Sequence, residues 1–492
     1  MSALPAGWVM TCIADIALFN PKTIAEDSLK AAFAPMQFLG TRYRDRMAFE
    51  ERPWGEIKKA YVHFQPRDVI VAKVTPCFEN GKAGVAPPLP NSIGAGSSEF
   101  CVFRPAQGVD ERYLLAWLST DDFRRRATVA MTGSVGLKRV PKEVFLSEQI
   151  PLAPEAEQKR IADKLDTVLT RVDAVNTRLA RVAPLLKRFR QSVLAAATSG
   201  RLTEDWRIAN PSINAQSWLD EVSSKSKTSS RRKPLEPSLA DLSKTVQLPE
   251  TWTVTGLDSL AADKPHALKA GPFGSALKKS MYVSRGYKIY GQEQVIAGDE
   301  TVGEYFIDDE KFAELKACAV ESGDILISLV GTIGRVLVLS PDALPGIINP
   351  RLVKLSLHPE VNRSYFSLYL RSPIALSFFE GNSHGGTMDI LNLGILRNLP
   401  LLIPPPAEQT EIVRRVETLF AFADRLEARL AQAQTAATRL TPALLAKAFR
   451  GELVPQDPND EPAAELLRRL QAERATAPKA SAGRGRKAVV QG

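Results

Sequence analysis

Apolar residues recur every three or four positions from Ile161 to Val193, through Leu165, Val168, Val172, Val175, Leu179, Val182, Leu186 and Phe189. Alternating steps of four and three trace the 3.5-residue seam of a coiled coil, so the pattern predicts one long helix. The same phase returns at Ile412, Val416, Leu419, Ala423, Leu426, Leu430, Ala433, Ala437, Leu440 and Leu444. Each helix would run roughly 60–70 Å at the standard rise. The flanks repeat as well. Pro154-Glu155-Ala156-Glu157-Gln158 matches Pro405-Pro406-Ala407-Glu408-Gln409, and Gly200-Arg201-Leu202 matches Gly451-Glu452-Leu453. Both Glu157/Glu408 and Gly200/Gly451 are separated by 251 positions, so the register holds without a gap. Acidic first turns suit the helix dipole, and the glycines stand where a left-handed cap is wanted. Pro184 has no counterpart at Thr435 and predicts a kink in the first helix rather than a break.

A seam this long must be covered. Antiparallel pairing of the two copies would build a rod with a pseudo-two-fold axis; the alternative is that each helix packs onto its own domain. Outside the helices the period changes. Asp68-Val69-Ile70-Val71 and Asp324-Ile325-Leu326-Ile327 read as buried strands after acidic turns, and glycine-bearing polar loops follow at 75–82 and 331–335. Helical patterns lie near 111–127 and 362–380. Leu4-Pro5-Ala6-Gly7-Trp8 is echoed by Leu248-Pro249-Glu250-Thr251-Trp252, so the duplication includes the globular parts. The fold class expected is α/β (α+β): two similar domains separated by two long helices in an antiparallel coiled coil. The boundaries read as domain 1–150, helix 151–205, flexible basic linker 206–245, domain 246–400, helix 401–455, and a tail 456–492. That tail carries a short helix near 463–474 before a basic, disordered end.

Composition narrows the class. Hydrophobic content of 44% and charged content of 24% are those of a soluble globular protein. No apolar run reaches membrane-spanning length and the start lacks a signal peptide's pattern, so a cytoplasmic protein is expected. Cys12, Cys77, Cys101 and Cys318 lack C-x-x-C spacing and read as reduced thiols. The net charge of +9 hints at nucleic acid, yet residues 246–400 carry a slight acidic excess. Any DNA affinity must come from local patches. The polar, basic run from Ser223 to Pro234 reads as a solvated tether, or as a strap that skims phosphates.

Catalytic patterns are missing from the sequence. Asn80-Gly81-Lys82 lacks the remainder of a phosphate-binding loop, and Asn349-Pro350-Arg351 lacks the second proline and aromatic of an adenine-methyltransferase motif. The four histidines, His63, His266, His358 and His384, are not spaced for metal. The chain reads as a binding protein. Base readout prefers Arg, Lys, Asn and Gln, which selects Arg42, Arg44, Lys73, Asn80 and Lys82 in the first domain and Gln292, Gln294, Arg335 and Arg351 in the second. Glycine-bearing turns add Thr75, Ser134, Lys138 and Arg139, then Lys269, Phe273, Ser275, Lys278, Thr332 and Thr387.

Several stretches together resemble the specificity subunit of type I restriction–modification systems, over nearly the whole chain. They are Ala72–Lys82 (A-K-V-T-P-C-F-E-N-G-K), Gly96–Phe100 (G-S-S-E-F), Met131–Pro141 (M-T-G-S-V-G-L-K-R-V-P), Gly271–Ser275 (G-P-F-G-S) and Phe449–Pro458 (F-R-G-E-L-V-P-Q-D-P). Val74 and Ser98 stand where the family pattern has isoleucine and threonine. The resemblance implies two target-recognition domains, each reading one half of a split site in double-stranded DNA. It also implies two docked methyltransferase subunits, joined by two restriction subunits. No cofactor would be bound by this chain; S-adenosylmethionine, ATP and Mg would belong to the partners. Unlike domains imply an asymmetric site, and a rigid rod would set the gap between its halves. A stand-alone DNA-binding regulator or architectural protein, and a coiled-coil scaffold without a nucleic-acid role, are the competing readings.

Overall fold

The computed structural model describes residues 4–134, 136–211, 214–225, 248–329, 335–382 and 391–476. The chain forms two units, Met1–Ala180 with Ala431–Gly492, and Arg181–Leu430.

In the first unit, β1 (Val9–Cys12) pairs antiparallel with β12 (Gln149–Leu152). A four-stranded antiparallel sheet runs in the order β2 (Ala17–Phe19), β9 (Phe100–Pro105), β6 (Val69–Ala72), β7 (Ala83–Val85). The other four-stranded sheet runs β4 (Glu50–Pro53), β3 (Lys30–Ala34), β8 (Gly94–Gly96), β5 (Val62–Phe64), with β3 and β8 parallel. A hairpin of β10 (Thr132–Ser134) and β11 (Leu137–Arg139) belongs to neither sheet. Val69, Ile70, Val71 and Ala72 are all buried, which explains why β6 reads as an unbroken apolar run.

The second unit repeats the two-stranded pair and both four-stranded sheets in the same order. Here β13 (Thr253–Thr255) pairs with β22 (Leu401–Ile403). One sheet runs β14 (Leu268–Ala270), β21 (Leu352–Leu355), β18 (Ile325–Ser328), β19 (Val336–Val338). The other runs β16 (Phe306–Ile307), β15 (Tyr287–Tyr290), β20 (Gly346–Ile348), β17 (Ala319–Val320), with β15 and β20 parallel. The acidic turns ahead of β6 and β18 match in detail. Buried Asp68 accepts from Gln65 N at 2.7 Å and from the Arg104 guanidinium at 2.8 and 2.9 Å. Asp324 accepts from Glu321 N at 2.9 Å and from Ser356 Oγ at 2.5 Å. Each carboxylate ties its turn to the neighbouring strand and satisfies an otherwise orphaned amide. The helical stretch expected near 111–127 is two helices, Glu111–Leu118 and Asp121–Val129, because Thr120 caps the second. Its counterpart is Arg363–Leu370 followed by Pro373–Asn382, with the proline opening a new helix.

The seam prediction yields two helices of 44 residues, Glu155–Thr198 and Pro406–Phe449. The first continues through Pro184. Proline is not confined to the first copy, because the second helix contains Pro442. In the first unit Ile161, Leu165 and Leu169 share a core with Leu445, Ala448 and Phe449. In the second, Val193, Leu194 and Ala197 share one with Ile412 and Val416. The start of each helix therefore meets the end of the other, which is antiparallel pairing. Domain residues such as Tyr113 and Tyr365 belong to the same clusters, so each helix also packs on a domain. Of the expected seam, Val172 and Leu430 are buried, and Leu179, Leu419 and Leu426 are half-buried. The seam drifts by one residue in places. Leu169 is buried where Val168 is only half-buried, Leu445 replaces Leu444, and Val175 and Leu440 are each 44% exposed. A 3.6-residue helix slips against a strict 3.5 repeat, which accounts for the drift.

The duplication extends past the long helices. The stretch read as a flexible linker from 206 begins with helices Glu204–Ala209 and Ala215–Lys225, and Leu219 and Val222 are buried. In the tail, helix Ala463–Thr476 buries Leu466 and Leu470. Ala215 N donates to Thr251 O at 2.9 Å and Ala463 N donates to Gly7 O at 2.8 Å, in each case beside the echoed tryptophan. Each unit is thus closed by the segment that follows the long helix ending in it. The rest of the basic linker (226–245) and the basic end (479–492) lie outside the described residues. Among the described residues no helix is long and apolar enough to cross a membrane. All four cysteines are free, and burial pushes the Cys101 thiol up to about 12.

Candidate nucleic-acid interface

Strand β6 leads directly into Lys73, where four of the predicted residues meet. Lys73 N donates to Glu99 O at 2.9 Å, and Val140 N donates to Lys73 O at 2.8 Å. Thr75 donates to Lys138 O through both its N (2.9 Å) and its Oγ1 (3.2 Å). These bonds bolt the β10–β11 hairpin to the end of the strand. Arg139 donates to both oxygens of Glu99 at 2.7–3.1 Å and remains 43% exposed. Hydrogen bonding from Arg139 holds the Glu99 carboxyl below its ordinary range. Ser134 and Lys138 are exposed on the hairpin and Asn80 is exposed beyond the turn. The corner is basic, built on strand ends, and offers donors to a polyanion.

The other first-unit candidates part from this corner. Lys82 Nζ donates to Met36 O at 2.8 Å, so this ammonium holds backbone together. Arg42 and Arg44 sit on a loop closed by Asp45, which accepts from the N of Thr41 and of Arg42 at 3.0 Å each. Arg44 is bonded to Thr170 on the long helix and lies 3.8 Å from Asp166. Arg42, Arg44 and Arg124 line a cavity of about 360 Å³ shared with Leu169, Asp173 and Thr441.

The ends of the corresponding strands in the second unit carry different side chains. Ala72 pairs with Phe100, and Ser328 pairs with Leu352, which places Lys73 opposite Leu329 and Glu99 opposite Arg351 in the two plans. Gln292 Nε2 donates to Ser328 Oγ at 2.8 Å, and its Oε1 accepts from Arg351 Nη1 at 3.3 Å. Arg351 is exposed, and its N donates to Asn349 Oδ1 at 2.9 Å. Arg335 is exposed nearby, its carbonyl accepting from Ser328 N at 3.1 Å. Lys269 is half-buried on β14, and Ser275 and Lys278 are exposed on the following turn. Phe273 at the tip of that turn is 87% exposed. Gln294 is excluded from the surface: it is fully buried, accepting from Gly291 N and donating to Val302 O, both at 2.7 Å. Thr332 and Thr387 lie outside the described residues.

Gly271 anchors the Phe273 turn. A Cβ there would stand 1.9 Å from Asn349 O, a backbone atom that cannot step aside. Gly271→Ala should therefore displace the turn and lower the melting temperature of the second unit. An unchanged melt, with the turn's amide-exchange protection intact, would contradict this. Among the described residues, no group of three or more His, Cys, Asp and Glu side chains is placed to hold a metal.

The fold is thus a duplicated α/β domain combined with a pair of long antiparallel helices. The chain belongs to the type I restriction–modification DNA specificity family, whose sequence profile matches residues 5–183 and 276–434. It is 32% identical to the specificity subunit of the Escherichia coli type I restriction enzyme EcoBI, over 70% of this chain and 69% of that one. It is 26% identical to the EcoEI specificity subunit of Escherichia coli, over 90% and 82%. The crystal structure of the HsdS subunit from Thermoanaerobacter tengcongensis shares the fold, with a TM-score of 0.56 and 18% identity over 91% of this chain and 98% of that one.

Proposed function

We propose that the chain supplies the address of a type I restriction–modification complex and no chemistry of its own. Each unit reads one half of a bipartite, asymmetric site in double-stranded DNA. The carrying observation is the pair of matched strand ends. Equivalent strand ends lead to Lys73 and Glu99 in one unit and to Leu329 and Arg351 in the other, and beside them stand Lys138 and Arg139 on the first unit's hairpin and Gln292 on a helix of the second. Equivalent frames with unlike donors suit two unlike half-sites. Two methyltransferase subunits dock on this chain in the reading, followed by two restriction subunits. S-adenosylmethionine, ATP and Mg belong to those partners, and the complex works in the cytoplasm. A target adenine must leave the stack to be methylated, and its pocket lies in the methyltransferase.

Genome-wide mapping of N6-methyladenine tests this. A two-part, non-palindromic motif is expected in the wild type and absent when the chain is deleted. An unchanged methylome would overturn the reading. Exchanging residues 1–150 for those of another family member should alter one half of the motif. Changes in both halves would break the assignment of one half-site to each unit.

A further inference from the structure

Among the exposed large apolar side chains, Ile24 is 100% exposed and Phe273 is 87% exposed. The two occupy the same place in their units. Phe19 pairs with Phe103, and Leu268 pairs with Leu355, on edge strands of sheets that share one strand order. Ile24 lies five residues after Phe19, and Phe273 lies five residues after Leu268.

Both tips rise from anchored backbone. Behind Phe273, Gly271 N donates to Leu352 O at 2.9 Å, Gly271 and Pro272 are buried, and Ala276 N returns to Phe273 O at 3.1 Å. Behind Ile24, Asn20 N donates to Val102 O at 2.8 Å and Thr23 N donates to His63 Nδ1 at 3.0 Å. The apolar side chain is therefore presented on a braced base rather than on a loose loop. Its surroundings are polar. Exposed Lys22 precedes Ile24 and exposed Glu26 and Asp27 follow it, while exposed Ser275, Lys278 and Lys279 follow Phe273. A protein interface needs a contiguous apolar core, which a single side chain among charged neighbours does not provide. A lone Phe or Ile on a rigid, polar mount is what proteins insert between base pairs to unstack and kink a duplex.

We infer that Phe273 and Ile24 are matched wedges, each inserting at one base step within or beside the half-site that its unit reads. The inference rests on the DNA-reading proposal and adds to it a deformation of the DNA at one step per half. Such a step would contribute to specificity through the stiffness of the bases rather than through their edges.

The test uses the full chain co-purified with its methyltransferase subunits and a duplex bearing the motif found by methylation mapping. 2-Aminopurine is placed in turn at each step except the methylatable adenines, which flip for their own reason. Wild type should brighten the probe at one step per half. Phe273→Ala should abolish the signal in its own half only and weaken binding about ten-fold. Phe273→Trp should keep both, and Ile24→Ala should give the mirror-image loss. Since both side chains stand in solvent, the variants should melt like wild type. A Phe273→Ala complex with wild-type affinity and undiminished fluorescence would overturn the wedge while leaving DNA reading intact. Loss of methyltransferase co-purification in that variant would also overturn it, by making the tip a protein contact. Failure of the wild type to bind its duplex specifically would bring down both ideas.

Discussion

Replacing Leu466 and Leu470 together by aspartate will unfold the first unit well below the melting temperature of the second. Both leucines are 3% exposed, on helix Ala463–Thr476, and share a cluster with Trp8, Ile13, Ile16 and Tyr113. Deleting a buried leucine side chain costs about 2–5 kcal/mol in transfer and cavity terms. Aspartate adds the penalty of an unpaired carboxylate in an apolar site, so the pair should remove most of a typical domain's 5–15 kcal/mol or so. The tail is positioned to matter this much because the chain leading into it and the start of its helix are both anchored to the unit. Phe449 packs edge-on against Tyr113 and Trp117 with ring centroids 5.0 and 4.9 Å apart, and Ala463 N is bonded to Gly7 O. Calorimetry should resolve an early transition. Hydrogen exchange should show lost protection in peptides covering 8–20 and 105–118, with 253–403 unchanged. Gln471→Asp, on the exposed face of the same helix, is the control. A double variant that melts like wild type would mean the helix rests on the unit without closing it.

That closing role was hard to read in advance, for a physical reason. The long helices announce themselves because ten seam positions repeat with one phase, and a repeat of that length survives local noise. Ala215–Lys225 buries only Ala215, Leu219 and Val222 among its residues of known burial, too few apolar positions to stand out from a polar stretch. It is helical because a tertiary partner waits for it, and tertiary packing supplies most helix stability. The interface candidates show the same limit. Lys73, Lys82 and Arg139 look equivalent as cations. Met36 O takes one into the frame, Glu99 steadies another beside the surface, and neither partner is near in sequence. Gln292 and Gln294 differ by two positions on one short helix, which turns one toward Arg351 and the other into the core. Composition can nominate a residue type; only the fold decides which copy faces outward. The topology of the strands was equally hidden, since short apolar runs carry no mark of their neighbours.

The echoed Trp and Glu-Gln motifs prove to be one device, and its two copies should respond unequally to removing the acid's charge. Trp8 Nε1 donates to Glu157 Oε2 at 2.9 Å, and Trp252 Nε1 donates to Glu408 Oε2 at 2.9 Å. The adjacent glutamines brace the same helix starts, Gln158 donating to Ala153 O at 2.9 Å and Gln409 to Pro404 O at 2.8 Å. The second oxygen is where the copies diverge. Glu408 Oε1 accepts from Thr203 Oγ1 at 2.6 Å and from Arg207 Nη1 at 2.5 Å. At the repeat-related positions the first unit has Val454 and Pro458, and Glu157 Oε1 is buried without a partner. Burial accordingly raises the Glu157 pKa, against the opposing pull of the Trp8 bond and of Arg160. A carboxyl raised in the folded state binds its proton more tightly there than in the unfolded chain. Its contribution to stability is complete below the ordinary carboxylate pKa and is lost as pH rises through the folded value. Glu157→Gln keeps an acceptor for Trp8 and removes the charge, so it should flatten the first unit's stability over that window and cost little at neutral pH. Glu408→Gln instead strands the Arg207 guanidinium, which is 16% exposed, and should cost the second unit about 3–5 kcal/mol, the price of breaking a buried pair. Urea unfolding of the full chain at pH 5 and pH 8, followed unit by unit through hydrogen exchange, separates the two. Equal losses for both variants at neutral pH would show that Glu157 is a charged, satisfied partner like its twin.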